Sequence, residues 1–248
     1  GKKRFSVIDG KEEKQYDKSD NSIYWDAFSF SPDSRHVAYR ASTGGKFVAV
    51  IDGKEGKPYD EIGAPKNSAV SVVFSPDSNR VAYKARTGDR WFAVIDGNEG
   101  SRYDDVSIPV FSPDSSHAAY TAKAGTSWFV VVDGKEERRF DGVASPVFSP
   151  DGRRMAYKAV TGKKSVAVID GKEGKPYDTV GDLVFSPDGG HVAYKAVKCG
   201  KTLVLVDGKE GRSYDDIISP GLSFTSSDRI NYIALQGKGI YLGEEEIK

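Results

Sequence analysis

Cysteine, methionine and histidine are scarce in this chain of 248 residues, which holds one Cys, one Met and three His. A single cysteine, Cys199, cannot make an intramolecular disulfide or a cysteine-rich zinc site, and it does not mark a redox compartment. Net charge is missing as well. Lys plus Arg and Asp plus Glu both number 36, so no global field draws the chain to a phosphate backbone or to anionic lipid. No apolar run approaches the roughly 18 to 20 residues that a membrane helix needs. The expectation is a chain that binds neither nucleic acid nor membrane. The sequence opens Gly1-Lys2-Lys3-Arg4 and runs straight into a strand-like segment. A leader removed or omitted before it would leave no trace, so the compartment is unreadable. The G-x-S-x-G, Walker, H-E-x-x-H and C-x-x-C motifs are also absent, which removes the common sequence signatures of nucleophilic, nucleotide and metal chemistry.

What is abundant is turn and strand material. With 27 Gly, 11 Pro, 13 Tyr and 12 Phe against 29% charged residues, the composition is that of a turn-rich globular chain and not a disordered one. Length alone fits one large domain or two small ones. Self-similarity decides between them. A unit of the form V-F-S-P-D-(S/G)-x-x-V-A-Y-K-A, a short loop, then F-V-A-V-I-D-G-K-E-G-K-P-Y-D runs through the whole chain. The thirteen letters from Val48 to Asp60 recur unchanged from Val166 to Asp178. The Asp-Gly column falls at Asp9, Asp52, Asp96, Asp133, Asp170 and Asp207, in steps of 43, 44, 37, 37 and 37 residues. The V-A-Y tyrosine recurs at Tyr39, Tyr83, Tyr120, Tyr157, Tyr194 and Tyr232. Six units are present.

Inside each unit the period is that of strands, short β-branched or aromatic runs broken by turn chemistry. Four strands are expected: A (V-F), B (V-A-Y-K-A), C (F-V-A-V-I) and D (K-P-Y-D). Ser-Pro-Asp suits a type I turn between A and B, and Asp-Gly suits a two-residue hairpin turn between C and D. An antiparallel four-stranded sheet cannot bury both faces alone, so stacking six around an axis is the economical arrangement. The expected fold is all-β, a six-bladed β-propeller spanning 1–248 as a single domain. Its units are approximately 18–60, 61–104, 105–141, 142–178, 179–215 and 216–248, the last closed with 1–17. Residues 11–17 are expected as the outer strand of that closing blade. Residues 4–9 are then surplus, either exchanging with 239–245 or adding a fifth strand. A cut from a longer, open array is the alternative.

The spacing Phe-Ser-Pro-Asp-Gly followed by Val-Ala-Tyr resembles the WD-like propeller repeat of TolB-type proteins, although the repeat lacks a Trp-Asp signature. The resemblance covers essentially the whole chain. It implies the propeller fold and is compatible with a periplasmic or secreted location. Because that repeat serves binding subunits and hydrolase-associated propellers alike, it does not choose a function.

The residues that look chemical are mostly repeat positions. His36, His117 and His191 each lie three residues after a turn aspartate, where Arg80 and Arg154 stand in two other units. They are expected as surface structural residues, spread around a ring and unable to share a metal site or triad. The Ser-Pro-Asp serines and aspartates are expected to form turns, and the P-Y-D tyrosines to pack, since Phe140 replaces one of them. Cys199 is expected to be an incidental loop residue. No cofactor or metal is expected.

Function is then sought where the repeats differ. Asp17 to Phe30 and Asp60 to Phe74 are separated by 13 and 14 residues, against 7 in units three to five. These D–A insertions and the divergent B–C loops share one face in a meander. Tyr24, Trp25 and Asp26 in the first insertion form a candidate contact group, since Tyr and Trp are enriched in binding hot spots. Trp91 and Trp128 follow two of the B–C loops at one repeat position. With Arg86, Arg90, Lys66 and Asn67 they are candidates for an aromatic and basic recognition arc, with packing between blades the other role open to the tryptophans. The expected function is a non-catalytic, monomeric scaffold that binds a protein or peptide, with exchange of terminal strands as the other arrangement open to it. One alternative is a carbohydrate-active lyase or hydrolase at the channel mouth, using Asp26, Lys66, Asn67 and Asp182. Another is a structural or engineered repeat protein without a ligand.

Overall fold

A computed structural model describes residues 3–4, 7–8, 10–12, 14–17, 28–63 and 72–247, all as strands, turns and connections, with no helix among them. Two sheets carry four strands in meander order. The first joins Ser29–Phe30, Val37–Thr43, Lys46–Ile51 and Lys54–Glu55. The second joins Thr179–Phe185, Val192–Lys198, Lys201–Val206 and Lys209–Tyr214. All described ladders are antiparallel, as hairpin connections require.

The turns follow from residue chemistry. In Ser31-Pro32-Asp33-Ser34 the Ser34 N–H reaches the Ser31 carbonyl at 2.9 Å, closing a type I turn. The next backbone position is left-handed, with φ 61° at Ser34 and 75° at Gly152 and Gly189, which is why this slot alternates between Ser and Gly. Asp52 and Gly53 have φ 48° and 75° between the paired residues Ile51 and Lys54, the geometry of a twist-matched hairpin turn. The B–C connections are equally tight: Thr43 pairs with Lys46 across Gly44 and Gly45.

One connection differs from expectation. From Glu61–Ile62 onward, the described segment after the tyrosine-aspartate column is the first half of the next inner strand and not a loop. Glu61–Ile62 and Val73–Phe74 both pair with Val81–Thr87. In 179–185 the two halves are continuous, with a bulge between Val180 and Leu183. The second insertion therefore interrupts an inner strand, and its residues 64–71 lie outside the described residues, as does most of the first insertion.

By Cα proximity the chain divides into two compact units, 1–111 with 118–125, and 112–117 with 126–248. In the first, the small residues Ala38, Ala49 and Ala85 let successive sheets approach, and Tyr59, Tyr83, Phe92 and Val94 fill the space between them. The second repeats this with Ala156, Ala167, Tyr177, Tyr194 and Leu205. Strands B and C are packed on both faces, so they are nearly continuous apolar runs.

The terminal segments form short ladders of their own. Residues Lys3–Arg4 ladder with Tyr16–Asp17, and Val7–Ile8 with Lys11–Glu12. The C-terminal sheet of Asp216–Ser226, Arg229–Gln236 and Gly239–Glu246 has three strands.

Candidate functional site

The charged residues of the repeat are largely engaged with one another. On the face of the A–B and C–D turns, His36 Nδ1 lies 2.7 Å from Asp52 Oδ2, while Asp52 Oδ1 accepts the Val37 N–H at 2.9 Å. Arg80 makes the same link to Asp96 through Nε at 2.9 Å, and Arg154 to Asp170 at 3.0 Å. His117 with Asp133 and His191 with Asp207 complete the series. Each pair ties one hairpin turn to the start of strand B. The turn aspartates are carboxylates fixed by local donors. The Ser112 hydroxyl, then Ser116, hold Asp114 down to about 2, and Ser31 acts likewise on Asp33.

On the opposite face the P-Y-D aspartates bridge repeats. Asp178 Oδ1 ion-pairs with Lys164 at 2.5 Å, and its Oδ2 accepts the Cys199 N–H at 2.9 Å. Asp60 pairs with Lys46 and accepts Gly88 N–H, Asp104 pairs with Arg90 and accepts Gly125 N–H, and Asp215 pairs with Lys201 and accepts Gly237 N–H. The lysine first, and then the backbone donor, lower the carboxyl pKa of Asp60, Asp178 and Asp215. Cys199, exposed at φ 52°, thus occupies a left-handed turn slot that is glycine at Gly44, Gly88, Gly125, Gly162 and Gly237.

Between the faces, two further rows join successive repeats. Tyr59 donates to Glu99 at 3.1 Å and Tyr177 to Glu210 at 2.9 Å. Burial first, then the carboxylate, raises the Tyr177 pKa. The strand B cation is buried and crosses to the next inner strand. Arg40 Nη1 reaches Glu61 at 2.8 Å and the Ile62 carbonyl at 2.9 Å, Lys84 Nζ the Val106 carbonyl at 3.0 Å, and Lys195 Nζ the Ile217 carbonyl at 3.0 Å. Sequence reading missed this row, although a Lys or Arg in the middle of an otherwise apolar strand, at Arg40, Lys84, Lys158 and Lys195, was its signal.

Of the nine candidate contact residues, Tyr24, Trp25, Asp26, Lys66 and Asn67 lie outside the described residues. Arg86 and Trp91 are brought together as a cross-strand pair, with the guanidinium carbon 5.6 Å from the ring centroid. Lys84 Nζ stands 4.4 Å from the same ring, so the half-buried Trp91 carries two cations. Arg86 Nη1 also donates to the Gly88 carbonyl at 2.6 Å. Arg90 is drawn to Asp104. Trp128, in the second unit, is half-buried and bridged through its backbone to Phe140 at 2.8 Å. Asp182 is exposed beside the inner-strand bulge. Among the described residues, no group of three or more His, Cys, Asp or Glu is arranged to hold a metal ion.

No family model and no curated protein matches the sequence. Solved structures do match in fold. One titled as the eukaryotic initiation factor has a TM-score of 0.50 at 12% identity over 96% of this chain and 66% of its own. TolB from Acinetobacter baumannii has 0.40 at 16% identity over 76% and 55%. The β-propeller domain of the Trilobed protease from Pyrococcus furiosus has 0.41 at 16% over 89% and 80%. The chain spans about half to two thirds of the length of the first two, and the likeness concerns the fold alone.

Proposed function

We propose that the chain is a six-bladed β-propeller, closed by its terminal strands, that works as a non-catalytic scaffold binding a protein or peptide. The recognition surface lies on the face of the B–C turns and the two insertions, with Tyr24, Trp25, Asp26, Lys66, Asn67, Arg86, Arg90, Trp91 and Trp128 as its candidates. The observation that carries this reading is the occupation of the repeated charged groups. The His–Asp, Arg–Asp, Lys–Asp and Tyr–Glu pairs recur from unit to unit as struts, which leaves the irregular segments as the place for a specific activity. Trp91 with Arg86 adds an aromatic and guanidinium pair on one such turn, the residue types that dominate binding hot spots.

The test is capture of partners by the whole chain and by the Trp25→Ala and Arg86→Ala double variant. The reading expects a specific set of proteins to be retained by the parent and lost by the variant at an unchanged melting temperature. An identical captured set from both proteins contradicts it.

A further inference from the structure

The groove between the third and fourth repeats, on the face of the A–B and C–D turns, differs from its siblings in two ways. At the fourth repeat a guanidinium from the chain itself fills the equivalent space. Arg154 lies with its guanidinium carbon 5.6 Å from the Phe185 centroid, its Nε bonded to Asp170 and its Nη1 to the Gly190 carbonyl at 2.6 Å. Arg80 stacks similarly on Phe111 at 5.1 Å. At the third repeat the same position is His117, which bonds Asp133 at 2.6 Å and is too short to cross to the next turn. Histidine also stands there at the first and fifth repeats, as His36 and His191, and at the first the ring of His36 itself covers Phe74 at 6.4 Å.

The second difference is a carboxylate. The position after D-G-x-E is glycine at Gly56, Gly100, Gly174 and Gly211 but glutamate at Glu137 in the third repeat, as it is at Glu13 near the start of the chain. Glu137 is half-buried; its charge, after burial, raises the Tyr157 pKa, while no hydrogen bond or ion pair of its carboxylate is seen among the described residues. It points toward the hairpin turn of the next repeat, with Oε2 3.4 Å from where a Cβ on Gly171 would stand. The groove of about 430 Å³ is lined by His117, Asp133, Glu137, Phe148, Gly152 and Arg153, and also by the paired Arg154 and Asp170. The two arginines do not occupy it. Arg154 is committed to Asp170 and Gly190, and the Arg153 side chain is 84% exposed, 3.9 Å from Asp151.

One cationic filler has therefore been lost and one carboxylate gained, above an aromatic ring and next to the carbonyls of Gly152 and Arg153, the counterparts of those that receive Arg154. We propose that this groove binds the guanidinium group of an arginine-bearing peptide partner. The planar cation stacks on Phe148 as Arg154 does on Phe185, donates to the Arg153 carbonyl, and pairs with Glu137. This surface lies on the face of the A–B and C–D turns, opposite the B–C turns, so it stands apart from the function proposed above.

The experiment titrates the whole chain with N-acetyl-arginine amide and, separately, N-acetyl-lysine amide, following backbone amide shifts by NMR. A lone side chain of this size is expected to bind in the millimolar range, with saturable shifts centred on Phe148, Gly152 and Arg153 and several-fold weaker binding of the lysine amide. His117→Arg supplies the filler in cis and copies what Arg80 and Arg154 already do, so it folds. It is expected to abolish the saturable shifts. Glu137→Gly, which copies the other repeats, is expected to weaken them several-fold. Absence of saturable shifts, equal response to both amides, or unchanged binding by His117→Arg overturns the proposal.

Discussion

Asp60 accepts the backbone N–H of Gly88 at 2.7 Å across a repeat boundary, while its other oxygen pairs with Lys46 in its own repeat. One side chain thus fixes two neighbouring turns, and Asp104, Asp178 and Asp215 repeat the device. Asp60→Ala is expected to remove hydrogen-exchange protection from the Gly88 amide while leaving the Gly125 amide protected by Asp104. Retained protection at Gly88 contradicts the role of this contact.

The turn glycines make a sharper test because no neighbour crowds them. A Cβ on Gly162 meets nothing within 4 Å, so the cost of Gly162→Ala is its φ of 59° alone, about 1–2 kcal/mol in chemical denaturation. Cys199 already bears that strain in the next repeat. Cys199→Gly is expected to change stability in the opposite direction, by up to about 1 kcal/mol after the greater unfolded-state freedom of glycine is deducted.

Lys84 is 8% exposed, and its ammonium is shared among the Val106 carbonyl, the Asp105 carboxylate at 3.5 Å and the Trp91 ring. Lys84→Met keeps the aliphatic stem and leaves that carbonyl unpaired, at an expected cost of about 1–3 kcal/mol in denaturant unfolding. Thr121 stands in the same column, so the fold accepts a shorter neutral residue there where the local partners differ. A neutral outcome for Lys84→Met removes the cation row from the forces joining repeats.

Stability is expected to fall at both ends of the pH scale. Folding lowers the carboxyl pKa of Asp33, Asp60, Asp114, Asp151, Asp178, Asp188 and Asp215 through hydroxyl, lysine and backbone donors. That contribution is fully present above the ordinary carboxyl value near 3.8 and is lost as pH falls toward the folded values, about 2 for Asp114. Burial raises the tyrosine pKa, to about 12 for Tyr157. That contribution is present below the ordinary value near 10 and is lost as pH rises through the folded one. Melting temperature against pH is expected to be flat between about 5 and 9 and to fall on each side. A maximum confined to one flank contradicts this.

The strands and turns were legible because each is dictated by short-range chemistry. Pro32 presets the first turn, Asp52-Gly53 the second, and Val, Tyr and Ala alternate along Val37–Thr43. The inner strand was misread as a loop because its pairing is non-local: Glu61–Ile62 bonds Ala85 and Arg86 more than twenty positions away. The struts were half visible. A column of aspartate in P-Y-D shows in the sequence, but that it reaches the backbone of the following repeat does not. Arg90 looked free for a ligand because its sequence neighbours gave no hint of Asp104, 14 residues on. The meaning of Glu137 is not visible in its column, where Glu13 also replaces glycine, and emerges from the groove it lines.

In the proposed function the repeats are scaffold and the two insertions form an essential part of the binding surface. The most direct measurement replaces the residues between Asp60 and Phe74 with the shorter connector between Asp141 and Phe148, and compares affinity for the captured partner with that of the parent. The account predicts loss of binding with the melting temperature and strand content retained. Undiminished affinity in the folded variant contradicts it.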